Sequence, residues 1–477
     1  MNHPFKQLIN GKWVDARNGH TWEVKNPATE ETITTVPFGD EKDAVAAIDA
    51  ALEGFKIWSR TNPFDRAVIL KRASTLMHNR LEDFAKYTVM ESGKPIAEAV
   101  GEWRVAANYF EWYAEEGKRS YGKVIPAARN NKRMSVIHQP IGIVGAITAW
   151  NFPAYNPARC WSAALGAGCA VVAKASEYTP LTAMLLAECL QEAGIPDGAF
   201  NLVNGAADRI GQAMLEHPAV RKISFTGSTR VGKILMDGAS KTNTRLSLEL
   251  GGNAPVIIFP DVDVKKVAEE SVVAKLRNAG QVCIAPQRFL VHESIATTFT
   301  EAAASKMNSI RVGNGLDPQT EMGPMINTRQ RDSIESIVQS SLAAGATPIT
   351  GGKRGSSKGY FFQPTLLSGV TPDNPVFHQE LFGPVMPITT FSSMEQAVTL
   401  ANATEYGLAS YIWTNDLKTA TLVFEQIEFG LVGINEWYPQ ALEAPFGGWK
   451  GSGLGYESGN EGLEEYQMKK LVSLGGL

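Results

Sequence analysis

Apolar residues early in the chain recur at helical spacing. In Lys42–Trp58 they fall at Ala44, Val45, Ile48, Ala51, Leu52, Phe55 and Trp58, steps that place one stripe along a helix. Short β-rich segments, Leu8–Val14 and Thr21–Lys25, come before it. From Ile141 the pattern changes. Apolar, β-rich runs at Ile141–Thr148, Cys169–Ala175, Phe200–Val203 and Lys222–Thr226 alternate with helical runs at Pro157–Leu165, Thr179–Gly194, Arg209–His217 and Thr229–Ser240. Continuous apolar strands joined by helices predict an α/β fold with a parallel, doubly wound sheet covered on both faces. Ligands of such sheets sit at the carboxyl ends of the strands. A second α/β series follows Gly251-Gly252, with strand Pro255–Phe259, helix Val262–Ala279 and strand Phe289–His292, and continues past Ile434. A domain boundary is therefore placed at that glycine pair. The polar stretch Arg119–Gln139, with two short extended runs, interrupts the first unit, and the β-rich tail Lys470–Leu474 is suited to pair with it or with a partner chain.

Composition narrows the classes. The 477 residues correspond to about two or three folding units. Lys and Arg number 45 against 49 Asp and Glu, a net charge of −4 with no basic tract, which argues against nucleic acid or a membrane surface as partner. The longest apolar runs, Ile141–Trp150 and Ala163–Ala173, fall short of the ~20 residues a bilayer requires. Met1–Trp13 lacks a charged-then-apolar export pattern, so a reducing cytoplasm is the expected compartment. The four cysteines, Cys160, Cys169, Cys189 and Cys283, form no CxxC or Cys/His cluster, which disfavours a disulfide frame or a metal site.

The candidate chemistry lies just after the predicted strands. Gly227-Ser-Thr-Arg-Val-Gly232-Lys233 nearly spells a P-loop, but Ile234 stands where magnesium needs a hydroxyl. What survives is either a tight β-α connection or a helix N-terminus offering N–H groups to a pyrophosphate. The preceding β-α turn, Lys174-Ala-Ser-Glu177, adds a carboxylate able to hold ribose hydroxyls and a lysine able to reach the same nucleotide. Together they suggest a dinucleotide. Cys160, Cys169 and Cys189 sit in apolar patterns and read as packing residues. Cys283, in Asn278-Ala-Gly-Gln-Val-Cys283, has a polar, glycine-containing setting and no nearby histidine partner, His292 being nine residues on. Glu249, ending an apolar strand before Gly251-Gly252, is either a salt-bridge member or a general base tuned by burial. Asn151, in Trp150-Asn-Phe-Pro153, is either a turn residue ahead of a helix or an amide donor to a developing oxyanion. A thiol, a non-histidine base and an amide donor beside a dinucleotide describe thiol-mediated oxidation of an aldehyde.

Ordered motifs across nearly the whole chain carry a resemblance. They run from Ile9-Asn-Gly-Lys-Trp13 and Asn26-Pro-Ala-Thr29 through Trp150-Asn-Phe-Pro153, Phe225-Thr-Gly-Ser228, Leu248-Glu-Leu-Gly-Gly252 and Gly280-Gln-Val-Cys283 to Glu380-Leu-Phe-Gly-Pro384 and Pro445-Phe-Gly-Gly448. In these the sequence resembles the NAD(P)-dependent aldehyde dehydrogenase superfamily. The resemblance implies a Rossmann-like NAD-binding domain over 1–118 and 140–250, an α/β catalytic domain over 251–450, and a β oligomerisation element over 119–139 and 463–477 that would build a homodimer or homotetramer. It implies Cys283 as nucleophile, Asn151 and the Cys283 N–H as oxyanion donors, and Glu249 as the base that activates water on the thioester. For the cofactor it implies Lys174 and Glu177 at the adenosine ribose, Ser228 at the pyrophosphate, Glu380 and Phe382 at the nicotinamide side, with Trp150, Ser176 and Gly227 in the same binding surface. A carboxylate at Glu177 favours NAD, with NADP bound more weakly. One departure stands out: Cys160 occupies the place where many relatives carry a lysine assigned to proton relay from the base. Ile284, after Cys283, removes a vicinal thiol.

Substrate class turns on two arginines. Arg159 lies eight residues past Asn151, and Arg277 six before Cys283. Relatives acting on small acidic semialdehydes, notably succinate semialdehyde, resemble this chain at both positions. Two guanidinium forks converging on one anion make physical sense; the plainer readings are a last-turn helix cation for Arg277 and a structural ion pair for Arg159. The expected substrate is a small anionic aldehyde, with Tyr155, Trp437, Gln440 and Phe446 as pocket wall. Glutarate and α-ketoglutarate semialdehydes and sulfolactaldehyde are alternatives, and uncharged lactaldehyde is the least expected. A cysteine-dependent esterase or acyltransferase and a non-catalytic scaffold are the readings from other classes.

Overall fold

The apolar runs that begin at Ile141 fold into the middle of an eight-stranded sheet in a computed structural model that describes residue 3 and residues 5–355 and 358–476. Of the expected segments, Met1, Asn2, Pro4, Ser356, Ser357 and Leu477 lie outside the described residues. Strand Ile143–Ile147 is central. Ala170–Lys174 and then Phe200–Val203 lie parallel on one side of it, and Val220–Thr226 and then Arg245–Glu249 on the other. The chain thus winds outward one way, returns, and winds outward the other way. Between Ile143–Ile147 and Val220–Thr226 the connections diverge, opening the crevice in which such sheets hold ligands. Every residue of Ile143–Ile147 and Ala170–Lys174 is buried, which explains why these strands read as unbroken apolar runs.

Leu8–Val14 is not one strand but a hairpin, Gln7–Ile9 against Lys12–Val14. Asn10 and Gly11 have φ of 50° and 71°, the left-handed pair that a two-residue turn requires. Helices Glu41–Trp58, Pro63–Ser92 and Ile96–Glu116 pack beside the sheet. Phe84, Trp103, Phe110 and Trp161 belong to the core that joins the latter two to Tyr155–Ala167 and Pro180–Ala193.

A second sheet has seven strands in the order Thr347–Thr350, Thr365–Ser368, Val385–Phe391, Pro286–His292, Ala254–Ile258, Ala409–Trp413 and Leu431–Ile434. All pair in parallel except the first two. Its last strand ends at Ile434, and the chain then returns to the first sheet, where Gly453–Leu454 pairs with Arg245–Glu249. The helix expected over Val262–Ala279 stops at Leu276 because Asn278, Ala279 and Gly280 turn left-handed. The tail forms strand Gln467–Gly475, which pairs within its own chain along Lys132–Pro140, with Lys123–Ile125 on the far side.

Candidate active site

The carboxyl ends of the first sheet meet the Cys283 loop of the second. After Ile143–Ile147 the chain passes through Asn151, which is 4% exposed. Its amide nitrogen donates to the Gln281 carbonyl at 3.2 Å, and its amide oxygen accepts from the Asn156 Nδ2 at 3.1 Å. Its backbone carbonyl accepts from Lys94 Nζ at 2.8 Å and Asn278 Nδ2 at 3.0 Å. The following helix begins at Ala154, which has no capping side chain; the Glu102 carboxylate accepts the Ala154 and Tyr155 N–H groups at 2.7 and 3.1 Å instead. Glu102 and Lys94 form a buried ion pair at 2.5 Å. Asn151 therefore caps nothing, and its amide faces the thiol loop.

Of the four thiols only Cys283 is partly accessible; Cys160, Cys169 and Cys189 are buried. Three successive residues at φ 48°, 54° and 73°, Asn278 to Gly280, carry the chain to it. A Cβ at Gly280 would lie 2.1 Å from the Gly383 carbonyl, and one at Gly252 would lie 2.4 Å from the Cys283 carbonyl. The loop is thus clamped between backbones where no side chain fits. Tyr411 fixes its far end by donating to the Ile284 carbonyl at 2.6 Å. Burial pushes the Cys283 thiol up to about 12, with the Arg159 charge acting in the opposite direction.

Glu249 ends strand Arg245–Glu249 and is buried, and neither carboxylate oxygen has a hydrogen-bond partner. Among the described residues it joins no ion pair, so the salt-bridge alternative is not what forms. Burial holds its carboxyl well above the usual range; Arg159 lowers it and Glu457 raises it further. Arg159 itself is buried, forms an ion pair with Glu457 and lies over the Phe446 ring, 4.4 Å from its centroid. Beside it, Cys160 is a buried packing thiol whose pKa burial raises. The cation adjoining the buried carboxylates is therefore Arg159.

The remaining candidates stand at or just past the carboxyl ends of the first sheet's strands or, for Glu380 and Phe382, on the loop before Val385–Phe391. Ser228 accepts from the Val231 N–H at 3.4 Å as N-cap of helix Thr229–Ser240, leaving the helix N-terminus facing the crevice beside Gly227. A Cβ at Gly227 would strike the Phe225 ring at 2.3 Å. Lys174 Nζ donates to Glu177 at 2.9 Å, and the buried Ser176 hydroxyl accepts from the Tyr178 N–H at 3.3 Å. Trp150 meets Phe382 edge to face at 5.4 Å, and Phe382 holds φ at 36°. Glu380 accepts from the Gly252 N–H at 3.0 Å, and burial raises its carboxyl to about 7. A helix N-terminus, a Lys–carboxylate turn and a second carboxylate beyond them form a donor and acceptor set that suits a dinucleotide.

A cavity at Cys283 is lined by Tyr155, Asn156, Arg159, Arg277, Gln440 and Phe446, among others. It shares Tyr155, Arg277 and Gln440 with a wider funnel of about 730 Å³. Arg277 is half-buried over the rings of Phe152 and Tyr438, at 5.0 and 5.6 Å. Among the described residues it has no carboxylate within 4 Å and no hydrogen bond to a helix carbonyl, so the last-turn role is not the one it plays. Trp437 is a correction to the expected pocket wall. Its ring packs on Tyr411 and Trp413, and its N–H points to Glu270 at 3.4 Å, because burying an indole against aromatic neighbours outweighs lining a polar cavity. Its neighbour Tyr438 faces the funnel instead.

Sequence reasoning missed Glu457, Asn156 and the Lys94–Glu102 pair. No periodic signal marks Glu457, which reaches Arg159 and accepts from Ser224 at 3.1 Å across the fold. Asn156 reads as an ordinary first-turn residue.

Residues 13–472 match the model of the aldehyde dehydrogenase family. The chain is 44% identical to a mitochondrial succinate-semialdehyde dehydrogenase of Oryza sativa subsp. japonica, over 98% of this chain and 89% of that protein. It is 43% identical to a 3-sulfolactaldehyde dehydrogenase of Pseudomonas putida, over 98% and 97%. A crystal structure of an NADP-dependent enzyme of E. coli superposes with a TM-score of 0.97 at 42% identity, covering 98% of each chain.

Proposed function

The chain belongs to the aldehyde dehydrogenase family of NAD(P)-dependent enzymes, and from that premise we propose that it oxidises a small anionic aldehyde of the succinate-semialdehyde type to the acid. The observation that carries this reading is Arg277, a half-buried guanidinium that feels the Glu98 carboxylate but has no carboxylate within 4 Å among the described residues, on the wall of the cavity that reaches Cys283. A carboxylate or sulfonate at the far end of the substrate would pair with it and set the aldehyde carbon at the thiol. Arg159 lines the same cavity, but its charge is offset by the buried ion pair with Glu457, the plainer of the two readings, so the anion contact rests on Arg277.

In the reaction the Cys283 thiol first loses its proton to solvent, its sulfur then adds to the aldehyde carbon, and the Asn151 amide and the Cys283 N–H hold the resulting oxyanion. A nicotinamide bound by the residues named below would supply the acceptor for the hydride that must leave the aldehyde carbon when the oxyanion collapses to a thioester. Glu249 then removes a proton from water, the hydroxide adds to the thioester carbon, and the acid leaves as the thiolate is restored. Lys174, Glu177, Ser176, Ser228, Gly227, Glu380, Phe382 and Trp150 would hold the cofactor. A carboxylate at Glu177 would accept from a 2′-hydroxyl and repel a 2′-phosphate, so NAD is proposed over NADP, in contrast to the name of the similar E. coli enzyme.

A second substrate reading follows from Gln440. Its amide oxygen is buried without a partner, in a residue that lines both the cavity and the funnel. A substrate hydroxyl would satisfy it, a contact that a hydroxylated sulfonate such as sulfolactaldehyde would make and unsubstituted succinate semialdehyde would not.

The test is kinetic. Arg277→Ala should raise KM for an acidic semialdehyde by about 100-fold, the value of a charge-assisted pair of ~3 kcal/mol, and leave a neutral aldehyde of equal length nearly unchanged. Equal effects on both would exclude an anion clamp.

A further inference from the structure

We propose that Asn156 is a positioning residue that fixes the direction of the Asn151 amide, and so creates the oxyanion donor on which the function proposed above depends. The backbone at Asn151 is already immobilised, because its carbonyl accepts from both Lys94 and Asn278. One freedom remains. The terminal amide can turn half a revolution about its last bond, exchanging its NH2 and its oxygen at almost no intrinsic cost. Turned one way, it offers hydrogen-bond donors toward the thiol loop; turned the other, it offers an oxygen that would repel an oxyanion.

Two neighbours decide between these states. The Gln281 carbonyl, 3.2 Å from Asn151 Nδ2, accepts and would repel an oxygen there. Asn156 Nδ2, 3.1 Å from Asn151 Oδ1, donates and would clash electrostatically with an NH2 there. The carbonyl can only accept and so favours the NH2 on its side, and Asn156, by presenting its Nδ2, adds to that preference from the opposite side of the amide. The remaining Asn151 N–H is then left for a negatively charged oxygen.

Asn156 also lines the cavity at Cys283, but its place in the helix does not call for an amide. It is 5% exposed, in the first turn of Tyr155–Ala167. The helix end is already served by Glu102, so no cap is needed from it. A primary amide is a weak helix former, and burying one is costly unless it is hydrogen-bonded. Its bond to Asn151 supplies that compensation.

The experiment compares Asn156→Ala, Asn156→Asp, Asn151→Ala and the Asn151→Ala/Asn156→Ala double variant. Each is assayed with one acidic and one neutral aldehyde, and NAD affinity is measured by quenching of tryptophan fluorescence. Asn156→Asp preserves the shape but can only accept, so it would draw the Asn151 NH2 toward itself and turn the oxygen to the reaction centre. Removing one oxyanion donor costs about 10²–10³-fold in kcat, so Asn151→Ala should lose that much. Asn156→Ala should lose about tenfold in kcat with both aldehydes, and Asn156→Asp more than Asn156→Ala, with NAD affinity retained. In the Asn151→Ala background, Asn156→Ala should change kcat no further, because the amide it orients is gone.

An Asn151→Ala enzyme with undiminished kcat would remove the oxyanion role itself. If Asn151→Ala is impaired, the proposal is overturned by three results: Asn156→Asp as active as the parent, an Asn156→Ala effect confined to KM, or the same kcat loss from Asn156→Ala with and without Asn151. A loss of NAD affinity in step with kcat would likewise assign Asn156 a merely structural role.

Discussion

Glu249 is where a single residue sets function against stability. Burial without partners holds its carboxyl above the ordinary value of 4.5, so the folded chain binds that proton more tightly than the unfolded chain does. The sign follows: the folded state loses stability as pH rises above 4.5 toward the raised value. Glu249→Gln should therefore melt at a higher temperature than the parent, with a gap that widens from pH 5 to pH 8 in thermal scans. The same variant should keep its first turnover, seen as a burst of NADH, while steady-state turnover falls about 10²–10⁴-fold as the thioester accumulates. A burst-free progress curve, or a gap that narrows with pH, would place the base elsewhere. Glu249 and Asn151 were legible in the sequence because a polar side chain at the end of an apolar strand is conspicuous. Asn156 was not, since its meaning lies in which atom of another amide it faces.

Among the elements, the connection from helix Val264–Leu276 to Cys283 holds the most strain. Asn278 and Ala279 are non-glycine residues in left-handed conformation, which persists only where surroundings impose it. Here Asn278 is tied by its N–H to Glu98 at 2.9 Å and by its side chain to the Asn151 carbonyl. Gly280→Ala would push a methyl to within 2.1 Å of the Gly383 carbonyl, so the loop must shift. A displacement of about 1 Å in the nucleophile costs on the order of 100-fold in turnover. Accordingly Gly280→Ala should lose at least that in kcat, and alkylation of Cys283, followed by mass spectrometry, should change rate in parallel. Unaltered kcat would show that the loop tolerates repositioning. The periodic pattern carried the helix three residues too far, to Ala279, because helical spacing persists in the sequence after backbone contacts with Gly383 and Asn151 have ended the helix. Helix Thr229–Ser240 and strand Phe200–Val203 kept their predicted bounds; their ends are set locally, by Ser228 as cap and by flanking loops.

At the scale of the whole molecule, the proposed catalytic groups come from two sheets, and a third, three-stranded sheet holds the tail. Strand Gln467–Gly475 pairs on one edge with Lys132–Pro140 and has no strand on its other edge among the described residues. Leu471 in this strand is 61% exposed, and Val124, on the strand at the opposite edge of the sheet, is 87% exposed. An unpaired nine-residue edge strand with exposed apolar residues in the same sheet invites pairing with another chain. The double variant Val124→Asp/Leu471→Asp is expected to run at 51.7 kDa by light scattering, and the parent at twice or four times that mass; a parent of single-chain mass would remove the oligomerisation role. The tail strand was anticipated from its apolar residues, but its pairing choice depends on the distant Lys132–Pro140 segment. Long-range ion pairs such as Arg159–Glu457 were hidden for the same reason. Near-balanced total charge likewise concealed a guanidinium concentrated on one small cavity. The most direct measurement is a panel of carboxylated, sulfonated and neutral aldehydes of matched length, with NADH or NADPH formation followed at saturating NAD or NADP. The account predicts kcat/KM for the anionic members about 100-fold or more above the neutral one, with NAD preferred. Equal kcat/KM for the neutral aldehyde would contradict it.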